Sequence, residues 1–147
     1  MLYMKLLLNL SVIAVLLAVA PCRCLADWGI ERVSRERAKA LGLEFQSKTN
    51  SPTQVSVVLE IKTEGELKNF TRGQAGRVDL QIREGETCLV SAILKEDRSK
   101  PGRVVVSFEA DRAFLDKITL RVWVAQGLGG DIYELRVKDF VELQKAP

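Results

Sequence analysis

The chain has 147 residues, with 22 Lys plus Arg against 19 Asp plus Glu and no His. Its 47% apolar and 28% charged content is that of a globular protein, and the length suits one domain. Without His, a His-based triad, a His-containing zinc site and an imidazole pH switch are all excluded.

The chain opens with a single charge, Lys5, followed by an apolar run from Leu6 to Ala20 broken only by Asn9 and Ser11. That run is short for a membrane span, which needs about 20 residues, and fits the apolar region of a secretory signal. Small residues at Cys24 and Ala26 place the expected cut after Ala26. A cut after Ala20 would leave Pro21 beside the cleaved bond, where its rigid ring hinders an extended substrate. Cys22 lacks the small residue before it that a bacterial lipoprotein signal carries, because Pro21 stands there. The expected divisions are residues 1–26 as signal peptide, 27–40 as a polar N-terminal leader and 41–147 as one β-sandwich domain. The expected location is secreted or periplasmic, without stable membrane insertion once the signal is removed. The mature chain would carry 20 basic and 19 acidic residues, so net charge alone calls for no acidic partner.

From Asp27 to Ala40 the chain is polar, and Glu31 to Ala40 has helix-forming residues but a thin apolar face. From Leu41 the period becomes two. Leu41, Leu43 and Phe45 alternate with Gly42, Glu44 and Gln46, which predicts a half-buried strand. After the turn signal Asn50-Ser51-Pro52, the residues Val55, Val57, Leu59 and Ile61 form the clearest one-sided strand of the chain. Glu64 to Gly76 is less regular, with Leu67 and Phe70 as anchors of a short strand or loop. Asn69-Phe70-Thr71 matches a glycosylation acceptor, but a core role for Phe70 would compete with its use.

Arg77 to Arg83 is the next strand, with Val78, Leu80 and Ile82 inward and Asp79 and Gln81 outward. Glu84-Gly85-Glu86 connects it to Thr87–Lys95, which has no polar side and is expected to be central or covered on both faces. Cys88 lies there as the one thiol of the mature chain; a buried free thiol is expected, with intermolecular pairing as the alternative. Pro101-Gly102 predicts a type II turn before the strand Arg103–Glu109. Ala110 to Asp116 is expected to cross over in one helical turn, dropping Phe114 or Leu115 into the core. Lys117 to Ala125 resumes alternation, with Ile118, Leu120, Val122 and Val124 inward and Thr119, Arg121 and Trp123 outward. Gly127-Leu128-Gly129-Gly130 is read as a loop using glycine's access to positive φ, before a last strand from Asp131 to about Phe140.

Short strands punctuated by turns, with no helical crossover, define the class: an all-β, immunoglobulin-like or fibronectin-like antiparallel β-sandwich of about seven strands. A small Greek-key barrel is the alternative. The likeness is architectural, since the Cys…Trp…Cys spacing of immunoglobulin domains is missing.

Biochemical function is not written in these patterns. No catalytic residue, metal site or cofactor is assigned. The nearest match to a contact surface is Trp123 with Arg121, and with Arg136 and Lys138 on the neighbouring strand. A large aromatic on a wet face either packs under a covering segment or anchors a partner. The expected role is a non-catalytic protein- or ligand-binding module whose partner is another extracytoplasmic protein and not nucleic acid. Two alternatives stand beside it: a carboxylate- or metal-dependent hydrolase using acids such as Asp111 and Asp116, and a structural or assembly module. Glu84 with Glu86, and Glu96 with Asp97, are the other neighbouring acids, each read as solvated turn residues. Intact-mass measurement of the exported protein is predicted to give an N-terminus at Asp27; any other mass rejects that cut.

Overall fold

A computed structural model describes residues 28–62, 65–71, 76–126 and 129–142. The expected signal peptide, 1–26, lies outside the described residues. The chain is an all-β sandwich of two sheets, with nine strands among the described residues where about seven were expected. The elements run β1 (Trp28–Arg32), α1 (Arg35–Leu41), β2 (Leu43–Thr49), β3 (Gln54–Lys62), α2 (Lys68–Thr71) and β4 (Gly76–Glu84). They continue with β5 (Thr87–Ile93), β6 (Glu96–Asp97), β7 (Arg103–Asp111), β8 (Ile118–Gln126) and β9 (Gly129–Arg136). One sheet has the order β1-β9-β8-β4-β5 and the other β2-β3-β7-β6. All pairings are antiparallel except that of β1 with β9, which is parallel.

The interior forms where the alternating faces meet. Val55, Val57, Leu59 and Ile61 of β3 are fully buried, as are Leu120 and Val122 of β8. Val78, Val104, Val106, Val124 and Leu135 complete the layer between the sheets. The ends are closed by helices and turns. Ala38 and Leu41 of α1, Leu67 just before α2, Phe70 within it, and Val137 and Val141 after β9 all join the same cluster. Phe140 stacks on Phe45, ring centroids 4.5 Å apart. In the crossover after β7 a short 3-10 turn buries Leu115, while Phe114 stays half exposed.

Three local readings change. The segment 27–40, expected as a polar leader, holds from Trp28 an edge strand and most of a capped helix that ends at Leu41. Ser34 caps α1 by accepting from the Arg37 amide, and Gly42 ends it with φ 77°. Leu41 therefore belongs to the helix and not to a strand. Arg37 ties this segment down through Glu31 at 2.6 Å and Glu66 at 2.6 Å, and its guanidinium holds the Glu66 carboxyl below the usual range.

The second change concerns β5. Every residue of it is exposed, and it is an edge strand, not a covered central one. Cys88 is accordingly an exposed free thiol, against the expectation of burial. The physical reason is that the opposite sheet ends in β6, a strand of two residues, so no full strand lies across from β5. The third concerns Gly129 and Gly130, which belong to β9 and not to the loop. Gly130 is needed for space: a Cβ there would lie 2.1 Å from the Val124 carbonyl oxygen and 2.8 Å from the Trp28 ring. The Pro101-Gly102 turn is as expected, with φ 80° at Gly102 and the Arg103 amide donating to Lys100 O.

Replacing Val57 or Leu120 with Asp is predicted to destabilise the domain by several kcal/mol, about 3 or more, by leaving a charge unpaired in this layer. Chemical denaturation measures it; a wild-type midpoint for both variants would contradict the assigned interior.

Candidate functional site

The outer face of the five-stranded sheet carries the buried polar side chains of the described residues. Register fixes what lies there: Thr119 opposite Arg136, Arg121 opposite Glu134 and Trp123 opposite Ile132. On the other side of β8, Arg77, Asp79 and Gln81 stand opposite Trp123, Arg121 and Thr119. Such a face would ordinarily be wet, yet Asp79, Gln81, Thr119 and Glu134 are all buried. Arginines lying across the sheet contribute to the covering, their aliphatic stems excluding water while their guanidiniums pair with the acids beneath.

The middle of the face is an ion pair. Arg121 donates to Glu134 Oε2 from Nη2 at 2.8 Å and from Nε at 3.1 Å, and Arg32 approaches the other carboxylate oxygen at 3.5 Å. Glu134 is therefore shared between β8 and the edge strand β1. Arg77 makes a second pair, with Asp79, at 3.0 Å.

One end of the face is aromatic. Trp28 meets the Trp123 ring edge-on, with centroids 5.2 Å apart, and the Arg77 guanidinium lies 4.5 Å from the Trp123 centroid. Trp123 Nε1 is buried without a hydrogen-bond partner. Trp123 is thus half-buried, with Trp28 of the N-terminal strand against its ring.

The other end is basic and concave. Arg32, Arg83, Lys117, Arg136 and Lys138, with Asp116 and Glu134, line a hollow of about 190 Å³. Three of these cations have acidic neighbours: Arg32 with Glu86 at 3.1 Å, Arg83 with Glu86 at 3.9 Å and Lys117 with Glu84 at 3.6 Å. Arg136 and Lys138 are exposed, and neither has an ion-pair or hydrogen-bond partner among the described residues.

Trp123, Arg121 and Arg136 therefore share one face, as the strand alternation implies, but do not form one contact patch. Trp123 and Arg136 sit at opposite ends of it, roughly 13 Å apart along the strand direction at about 3.3 Å per residue. Arg121 between them is committed to Glu134. Sequence reasoning missed Arg32, Arg83 and Lys117, which come from β1, the β4–β5 hairpin and the turn before β8. Reading Gly127 to Gly130 as the loop sets Arg121 opposite Arg136; the observed register, with Gly129 and Gly130 inside β9, sets it opposite Glu134.

The acids considered for catalysis have local roles. Asp111 accepts from the Ala113 amide at 2.9 Å and caps the 3-10 turn, whereas Asp116 lines the basic hollow. Asp97 accepts from the Ser99 amide, which with the Ser99 side chain holds its carboxyl below the usual range, and Glu96 pairs with Arg98 at 2.7 Å. Among the described residues no group of three or more acidic or Cys side chains is placed to hold a metal, and no helix is long and apolar enough to cross a membrane. Comparison with protein-family models, curated proteins and solved structures finds no match.

Removing Arg121 strands a buried carboxylate, whereas removing Arg136 strands nothing. Arg121→Ala is predicted to cost about 3 kcal/mol in denaturant unfolding and Arg136→Ala less than about 0.5 kcal/mol. Equal effects would contradict this division of the face.

Proposed function

We propose that the protein is an exported, non-catalytic binding module whose contact site is the basic hollow at one end of the five-stranded sheet. The observation that carries this reading is the unpaired state of Arg136 and Lys138 among the described residues, beside three further cations around one concavity. Elsewhere on this face charges are matched at short range, Arg121 with Glu134 and Arg77 with Asp79. A mature chain of nearly balanced charge has no general attraction for anions, so a local surplus of cations directs binding to one place. The ligand that suits it is an acidic segment of another extracytoplasmic protein. Its carboxylates would meet Arg136 and Lys138 first, with Arg32 and Arg83 within the same hollow. Rim charges of this kind govern encounter rate and partner choice more than final affinity.

The edge-on Trp28–Trp123 pair has a supporting part in this reading. It fastens β1 to the sheet, and β1 delivers Arg32 to the hollow.

A short poly-glutamate peptide provides the test, titrated at low salt and followed by amide chemical shifts. Saturable shifts are predicted around residues 117–119 and 134–138, lost on adding roughly 0.5 M salt, where screening falls to a few ångströms. Arg136→Glu with Lys138→Glu is predicted to abolish them while leaving the unfolding midpoint within about 0.5 kcal/mol of wild type. Unchanged binding by the double variant, or no saturable binding by the wild type, would overturn the assignment.

A further inference from the structure

We propose that β5 pairs with β5 of a second copy of this chain, antiparallel about a twofold axis at Ala92, making one continuous sheet across two molecules. The inference is independent of the basic hollow. β5 is the open edge of its sheet, and its residues are exposed along the whole strand. Leu89, Val90 and Ile93 are large apolar residues with 55%, 52% and 68% of their surface accessible.

The hydrogen-bonding phase of the strand is fixed. The Leu94 amide donates to Val78 O at 2.8 Å, so Leu94 faces β4, as do Ala92 and Val90 in the regular stretch after the bulge. Ser91 and Ile93 therefore direct their N–H and C=O groups to the open side. A twofold at Ala92 places Ser91 of each copy opposite Ile93 of the other. All four residues then satisfy both backbone groups, in two reciprocal pairs.

The uncharged, self-complementary edge selects a second copy as the occupant. Edge strands usually resist self-pairing through a lysine or other charge within the strand, and Thr87–Leu94 has none. Both flanks carry mixed charge, Arg83, Glu84 and Glu86 before it and Lys95, Glu96, Asp97 and Arg98 after it, so neither end repels its twin as a block of one sign. The small Ala92 side chains meet at the axis, and Val90 lies opposite Leu94 of the other copy, so apolar groups cover apolar groups.

This register also makes a statement about the thiol. Cys88 and its twin lie about eight residues out of alignment, roughly 26 Å apart, so the native cysteine does not join the two copies. Ala92 pairs with itself at a non-hydrogen-bonded position, where Cα atoms approach to about 4.5 Å and a disulfide can close.

The test uses protein purified after expression of the full chain. Sedimentation is predicted to show monomer at about 1 μM and dimer at about 100 μM, as suits a small edge interface. Ser91→Pro removes a donor that no neighbour in the same molecule uses; it is predicted to abolish the dimer while leaving cooperative unfolding intact. Ala92→Cys with Cys88→Ser is predicted to form a disulfide-linked dimer under mild oxidation, and Thr87→Cys with Cys88→Ser is not. A monomer at every concentration, a dimer that survives Ser91→Pro, or cross-linking at position 87 and not at 92 would each overturn the proposal.

Discussion

The structure depends on the burial of one alternating apolar layer between two sheets. β3 supplies four fully buried aliphatic side chains and β8 supplies Leu120 and Val122 against them. Each fully buried aliphatic side chain is worth about 1.5–3 kcal/mol, and in a strand of period two that gain is lost if the register slips by one. Everything on the outer faces follows from this constraint. Because Leu120 and Val122 point inward, Thr119, Arg121 and Trp123 must point outward. Because β9 pairs with β8 in one register, Glu134 and Arg136 join them there.

The outer face of the five-stranded sheet is then divided by how its charges are satisfied. In the centre, acids are buried under arginines and the pairs hold strands together. Arg121–Glu134 links β8 to β9, and Arg32 extends that link to the edge strand β1. At one end Trp28, Trp123 and Arg77 form an aromatic cluster. At the other, five cations outnumber the two acids that line the hollow, and Arg136 and Lys138 face solvent. A single sheet face thus contains both a structural polar layer and the basic hollow proposed as the contact site, separated by a few residues along the same strands.

Much of the interior was legible in the sequence, and the reasons are local. The inward residues of β3 and β8 were readable because each strand has one wet side and one dry side. The Pro101-Gly102 corner was readable because its turn chemistry is carried by two adjacent residues. β1 was not, because Trp28-Gly29-Ile30-Glu31-Arg32 pairs in parallel with a strand about a hundred residues away, and no local periodicity announces such a partner. β5 misled in the opposite direction. A strand without a polar side suggests double coverage, but coverage depends on the neighbouring sheet, and that sheet ends in the two-residue β6. The candidate site was half legible: alternation placed Trp123, Arg121 and Arg136 on one face. Only the three-dimensional pairing separates a half-buried indole and a committed guanidinium from an unpaired one.

Native-state amide hydrogen exchange, followed residue by residue, tests the common basis of these conclusions most directly. The slowest amides should be those of β3 and β8 and should open only with global unfolding, β1 should be protected along its β9 side, and Ser91 and Ile93 should exchange fast in dilute protein. Slowest exchange in α1, or rapid exchange throughout β3 and β8, would contradict an interior built from these two sheets.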